Sequence, residues 1–133
     1  SYGYLVITVD HPYDSILIEY SNGQLVMPQL SNGTNHTQIP NVDDVVGLNQ
    51  AIDVRVQDLS FVLDQLLKNS TVFAQRIPHF PSATQLLRTK VGVFGHSLGG
   101  ASSATLMFQD RRFLCGASLD GKLSGPVTEQ GLD

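Results

Sequence analysis

Hydrophobic positions along this chain follow two rhythms. Tyr4-Leu5-Val6-Ile7-Thr8-Val9 is an almost continuous apolar run, and Val91, Val93 and Phe94 make a second run bounded by glycine. β-Branched and aromatic runs of that length fit strands buried on both faces of a parallel sheet. Ala51 to Lys68 keeps a helical period instead: Leu59, Val62, Leu63, Leu66 and Leu67 recur at spacings of three and four, while Arg55, Asp58, Asp64 and Lys68 lie elsewhere. This predicts an amphipathic helix, opened by Asp43 and Asp44 and stopped by Asn69-Ser70, whose stripe packs on a sheet. Arg55 and Asp58, three apart, are spaced to pair on its surface.

Shorter signals fill the intervals. Ser15 to Tyr20 and Gln24 to Met27 flank Ser21-Asn22-Gly23, which predicts a β-hairpin because Asn and Gly both tolerate positive φ. Pro28 to Pro40 reads as an exposed polar loop, and a polar mixture around Pro78 and Pro81 reads as the connection to the second apolar run. After the small-residue stretch that ends at Gln109, Cys115 to Leu119 is a further short strand followed by Asp120-Gly121. The order strand, helix, strand, helix, strand makes two right-handed crossovers of a parallel sheet. The expected class is therefore α/β, with a mostly parallel sheet and helices on both faces.

The chemistry concentrates where the second apolar run ends, in Gly95-His96-Ser97-Leu98-Gly99-Gly100. A strand, a glycine-flanked serine and a slim helix in that order form the elbow that holds a nucleophilic hydroxyl above a sheet in a strained backbone conformation. Gly95 and Gly99 stand where a β-carbon would collide with the turn, and Gly100, Ala101, Ser102 and Ala104 let the helix approach its neighbours. The helix N-terminus favours negative charge at Ser97, and the Leu98 backbone N–H points there as one donor of an oxyanion hole. The bland alternative is a Gly/Ser-rich turn with no chemistry.

A serine needs a histidine to accept its proton and a carboxylate to orient that histidine. Asp120 would stand at the carboxyl end of the next strand, on the edge that carries Ser97; its other reading is a turn former before Gly121. Asp110 is a rival acid, but beside Arg111 and Arg112 it reads as a salt-bridge partner. The four histidines, His11, His36, His79 and His96, all precede Ser97, and in an elbow His96 points away from the hydroxyl. The general base is thus expected beyond Asp133. His11 follows the first strand, where open α/β sheets place ligands; it is a candidate pocket residue or a hydrogen-bonded loop histidine.

Composition narrows the setting. Hydrophobic residues make up 41% of the 133 positions, enough for one globular core, and the net charge of -4 argues against a nucleic-acid surface. No apolar stretch approaches the ~20 residues that span a bilayer, so no transmembrane segment is expected. Cys115 is alone, which excludes an internal disulfide and Cys-x-x-Cys metal sites; no metal and no cofactor are implied. Three sequons, at Asn32, Asn35 and Asn69, hint at a secreted glycoprotein.

These residues together resemble the secreted, plasma-type platelet-activating factor acetylhydrolases, and their fungal relatives in particular. The resemblance covers nearly the whole chain. It rests on Val9-Asp10-His11-Pro12-Tyr13-Asp14, on Arg55 with Asp58-Leu59-Ser60-Phe61-Val62-Leu63-Asp64-Gln65-Leu66, on Gly95-His96-Ser97-Leu98-Gly99-Gly100 and on Leu119-Asp120-Gly121. It implies an α/β-hydrolase-fold serine esterase, with Ser97 as nucleophile, Asp120 as the acid on the strand directly after the nucleophile helix, and Leu98 as an oxyanion donor. The family draws a second oxyanion donor from a loop before the first strand seen here and its histidine from a segment after the last. Its animal members carry Ala-Trp after the acid, where this chain has Gly121-Lys122 and no tryptophan.

Residues 1–133 are accordingly expected to be the central part of a single α/β-hydrolase domain that lacks the upstream oxyanion loop and the downstream histidine. The expected function is hydrolysis of a carboxylic ester, lipase-like or acetylhydrolase-like, through a Ser-Asp-His triad and an acyl-enzyme. Its partners would be a phospholipid-like small ester and the remainder of the same domain, which a second chain can supply. Two alternatives stay open: a secreted, non-catalytic interaction protein on a hydrolase scaffold, and an acyltransferase or thioesterase with the same nucleophile.

Overall fold

The computed structural model describes residues 4–12, 17–26, 45–88 and 90–132. A hairpin comes first: β1 (Ile18–Glu19) pairs antiparallel with β2 (Leu25–Val26). Its turn is closed by the Tyr20 N–H donating to the Gln24 carbonyl at 2.9 Å and the Gly23 N–H donating to the Tyr20 carbonyl at 2.8 Å, with Gly23 at φ +83°. The Asn-Gly signal therefore marks a real hairpin. The loop from Pro28 to Pro40, Asp43 and Asp44, and with them Asn32, Asn35 and His36, lie outside the described residues.

The long helix, α1 (Val45–Lys68), starts earlier than its clearest period suggests. Its buried residues are Leu48, Ile52, Val56 and Leu63, with Leu59 and Leu67 packed beside them. That stripe does not lie on a sheet, as its sequence suggested, but chiefly against another helix, α4 (Leu98–Gln109). Asn69 does end α1, yet the stretch around Pro78 and Pro81 is not plain connection: it forms α2 (Ser70–Arg76) and α3 (Ala83–Arg88). Both are too short for a hydrophobic period to register.

The sheet that matters is β3 (Val91–His96) beside β4 (Phe113–Leu119), parallel and in register from His96 opposite Leu119 down to Val91 opposite Phe113, with one irregularity between Val91 and Gly92. Helix α4 connects them and packs on both. Leu106, fully buried, and Ala101 of α4 meet the α1 stripe and Phe113 in one core, flanked by Val91 and Val93. A short α5 (Pro126–Gln130) closes against α4 through Val127.

One expectation is met only in part and one is corrected. Among the described residues the β3–β4 pair does not carry helices on both faces: along β3, Val91 and Val93 turn to the helices while Gly92, Phe94 and His96 are exposed, Phe94 at 70%. α1 and α4 share one face, and the opposite one is bare among the described residues. Nor is Tyr4 to Val9 a buried strand. It is exposed and not paired with any described strand, with Tyr4 at 82% and Val6 at 68% exposure. A strand exists only through a neighbour that accepts its hydrogen bonds, and none of the described strands adjoins this one.

Candidate active site

The site grows from the end of β3. One residue past His96 the backbone reverses, and Ser97 sits at φ 53°, ψ -120°, a region that a side-chain-bearing residue occupies only under constraint. The constraint is visible. The Ser97 N–H donates to the Leu119 carbonyl at the tip of β4 at 2.8 Å, and the Ser97 carbonyl accepts from the N–H groups of Gly100 at 2.9 Å and Ala101 at 3.1 Å. Ser97 is thereby held between a strand end and the first turn of α4, with its side chain exposed.

Glycine is required at two points around it. A Cβ on Gly95 would fall 2.4 Å from the Gly99 carbonyl carbon, and one on Gly121 would fall 2.7 Å from the Ser97 carbonyl oxygen and 2.6 Å from the Ala101 nitrogen. Gly99 differs from its expected role, because a Cβ there would meet nothing within 4 Å. It is Gly95 that yields to Gly99, and not the converse. Behind the elbow, buried Ser102, Ser103 and Thr105 turn their hydroxyls to the carbonyls of Leu98, Gly99 and Ala101 at 2.8, 2.8 and 3.1 Å. Small polar residues thus line a buried helix without leaving a donor unmet.

Register brings the second candidate to the same edge. His96 lies opposite Leu119, so Ser97 and Asp120 are the residues immediately past the ends of neighbouring parallel strands. Asp120 is exposed and also has positive φ, 54°. The Leu98 N–H is the first of α4, where no helical acceptor exists for it; the dipole and the free amide both favour an oxyanion beside Ser97. The arrangement brings a serine hydroxyl, a helix-terminal amide and a carboxylate to one rim.

None of the described histidines joins that rim as a base. His96 stands on the bare face of β3. His79 is exposed at the α2–α3 turn with φ 61°. His11 is buried, and its Nδ1 lies 2.7 Å from Asp58 Oδ2 on α1; of its two readings this is the hydrogen-bonded one. The pairing was invisible in sequence because 47 positions separate the partners, and it engages Asp58 where the local spacing had suggested Arg55.

Asp110 is taken by an ion-pair network. Arg112 donates through Nη2 at 2.6 Å and Nε at 2.9 Å to its two oxygens, Ser60 donates its hydroxyl at 3.2 Å, and the Arg112 Nη1 reaches Asp64 at 2.6 Å. The Arg112 hydrogen bonds hold both carboxyls below the usual aspartate range, assisted at Asp64 by Lys68, while the two carboxylates push the guanidinium up. Asp110 is thus a structural anion away from the serine. Elsewhere, a cleft of about 150 Å³ lined by Asn49, Asp53, Thr105, Gln109 and Ser124 flanks the later turns of α4, not Ser97. Cys115 is exposed on β4, and Asn69 is exposed between α1 and α2. No group of three or more His, Cys, Asp or Glu among the described residues could hold a metal ion, and no described helix is long and apolar enough to cross a membrane.

Comparison with known proteins adds two findings. The family model described as platelet-activating factor acetylhydrolase, isoform II, matches residues 1–131. A protein of Arthroderma benhamiae named "Probable 1-alkyl-2-acetylglycerophosphocholine esterase" is 35% identical over 132 residues, which cover 99% of this chain and 28% of that protein. The chain thus spans little more than a quarter of that relative's length. No solved structure matches it.

Proposed function

The chain belongs to the platelet-activating factor acetylhydrolase, isoform II, family, and from that premise we propose that it is the nucleophile-bearing part of a serine carboxylic-ester hydrolase. The observation that carries the reading is the constrained positive-φ Ser97 between β3 and α4, with Asp120 at the adjoining strand end. The complete protein would have the α/β-hydrolase fold, of which β3, α4 and β4 are one parallel unit.

In this reading Ser97 Oγ attacks the ester carbonyl carbon while a histidine outside these 133 residues takes its proton. The carbonyl oxygen becomes an oxyanion facing the Leu98 N–H, and collapse breaks the acyl–oxygen bond as the histidine protonates the departing alcohol. Water then repeats the sequence on the acyl-enzyme and releases the carboxylic acid. Asp120 orients the histidine and stabilises its cation. The relative's name points to a short acyl group on a glycerophospholipid as the substrate class. Secretion, with glycans on the sequons at Asn32, Asn35 and Asn69, belongs to the same proposal.

Ser97→Ala in the full-length protein tests it. Turnover of an acetyl ester is expected to fall by about 10⁴-fold or more, and covalent labelling of the protein by a fluorophosphonate is expected to vanish. Retained turnover or retained labelling would refute the assignment.

A further inference from the structure

The turn that carries Asp120 has to be held from both sides. Asp120 is exposed and sits at φ 54°, a strained backbone that persists only where its surroundings fix it. The aim of its carboxylate is therefore set by what holds the chain before and after it. Before it, the Leu119 carbonyl accepts from the Ser97 N–H at 2.8 Å. After it, Gly121 lies against the Ser97 carbonyl and the Ala101 nitrogen, with no room for a Cβ, and Lys122 and Leu123 run exposed. The Ser124 hydroxyl then donates to Asn49 Oδ1 on α1 at 2.6 Å, across 75 positions of sequence. Packing does not duplicate that bond, because the cleft of about 150 Å³ opens beside it, with Asn49 and Ser124 in its wall. The anchor itself is firm: Leu48 and Ile52, on either side of Asn49 in α1, are buried in the core that α1 shares with Leu106 of α4, the helix that Ser97 opens.

We propose that Asn49 and Ser124 are positioning residues for Asp120. Their hydrogen bond joins the chain leaving the acid to α1, so that nucleophile and acid are both referred to the packed pair of α1 and α4. The proposal rests on the reading of Ser97 as nucleophile and Asp120 as acid. Release of the bond frees the turn and with it the direction of the carboxylate, and the histidine that Asp120 orients then takes the Ser97 proton from a poorer geometry. Neither Asn49 nor Ser124 touches the ester in this reading, so the loss falls on kcat and not on KM; a displacement of about 1 Å is enough to cost about 100-fold.

The test is steady-state hydrolysis of an acetyl ester by variants of the full-length protein, with circular dichroism and urea midpoints to show that each folds. N49A and S124A are each expected to lower kcat by about 10–100-fold with KM unchanged. N49A/S124A should lose no more than either single variant, because both remove the same bond, and N49A or S124A added to D120N should cost nothing further, because the effect passes through Asp120. N49D keeps the acceptor and S124T keeps the donor, so both should turn over as the parent does. An unchanged kcat in N49A and S124A, even with a lower urea midpoint, would overturn the proposal by assigning the bond to stability alone. A loss that multiplies onto that of D120N would overturn it as well, since the pair would then act by another route. Failure of the underlying reading is separable: turnover retained in S97A removes both, whereas an inactive S97A beside a fully active S124A removes the positioning role only.

Discussion

At the scale of single residues, Ser97 and Asp120 share an unusual property: each is a non-glycine residue with positive φ, 53° and 54°, at the same edge of one sheet. Backbone strain of this kind costs about 1–3 kcal/mol and survives only where surrounding bonds hold it. For Ser97 those bonds are named, to Leu119 on one side and to Gly100 and Ala101 on the other. Gly121 is part of the same lock, since any side chain there would strike the Ser97 carbonyl. The role proposed for Asp120 gives a separate prediction. Asp120→Asn should keep the fold while lowering kcat by about 10³–10⁴-fold, because an amide can neither select the histidine tautomer nor stabilise its cation. A change of less than tenfold in steady-state turnover would assign Asp120 to the turn alone.

Elements are held by different forces at their two ends. Midway along α4, Leu106 is fully buried against α1, and Leu106→Ala should destabilise the protein by about 2–5 kcal/mol, seen as a lower urea midpoint. At the far end, where α4 passes into β4, the link is ionic: Asp110 is held by Arg112, which also reaches Asp64 on α1. Both carboxyls are lowered in the folded state, foremost by Arg112. A lowered carboxyl stabilises the fold above its unfolded value, near pH 4, and that contribution is lost as pH falls through the folded value. Asp110→Ala should therefore cost about 1 kcal/mol at neutral pH, with the gap to the parent closing below about pH 4 in an acid denaturation series. A gap independent of pH would mean that Asp110 acts through packing. The α1 period was legible because five apolar positions recur at spacings of three and four from Leu59 to Leu67; α2 and α3 were not, because one or two turns carry no period.

Over the whole molecule, one face of the β3–β4 sheet and the Tyr4 to Val9 segment each expose apolar side chains, among them Tyr4, Val6, Phe94 and Leu114. The comparisons place this chain within little more than a quarter of a longer relative. Taken alone, the 133 residues should show negligible ester turnover and bind a hydrophobic dye, since the histidine of the proposed mechanism is outside them and that sheet face is bare among the described residues. Measurable hydrolysis of an acetyl ester by the purified chain would contradict this.

By itself the sequence determined what depends on neighbours along the chain. The Asn-Gly hairpin, the α1 period, the strand–serine–helix elbow and the placement of Asp120 one residue past the next strand all follow from local backbone preference. So did the expectation that Asp110 pairs with an adjacent arginine. Tertiary structure decided everything that needs a distant partner. It set His11 on Asp58, Arg112 on Asp64, the α1 stripe on α4 in place of a sheet, and both long helices on one face. Burial is the plainest case: Phe94 and Tyr4 to Val9 have the composition of core strands, yet composition shows only that a side chain can be buried. What buries it is a neighbour, and that neighbour is fixed by the whole fold.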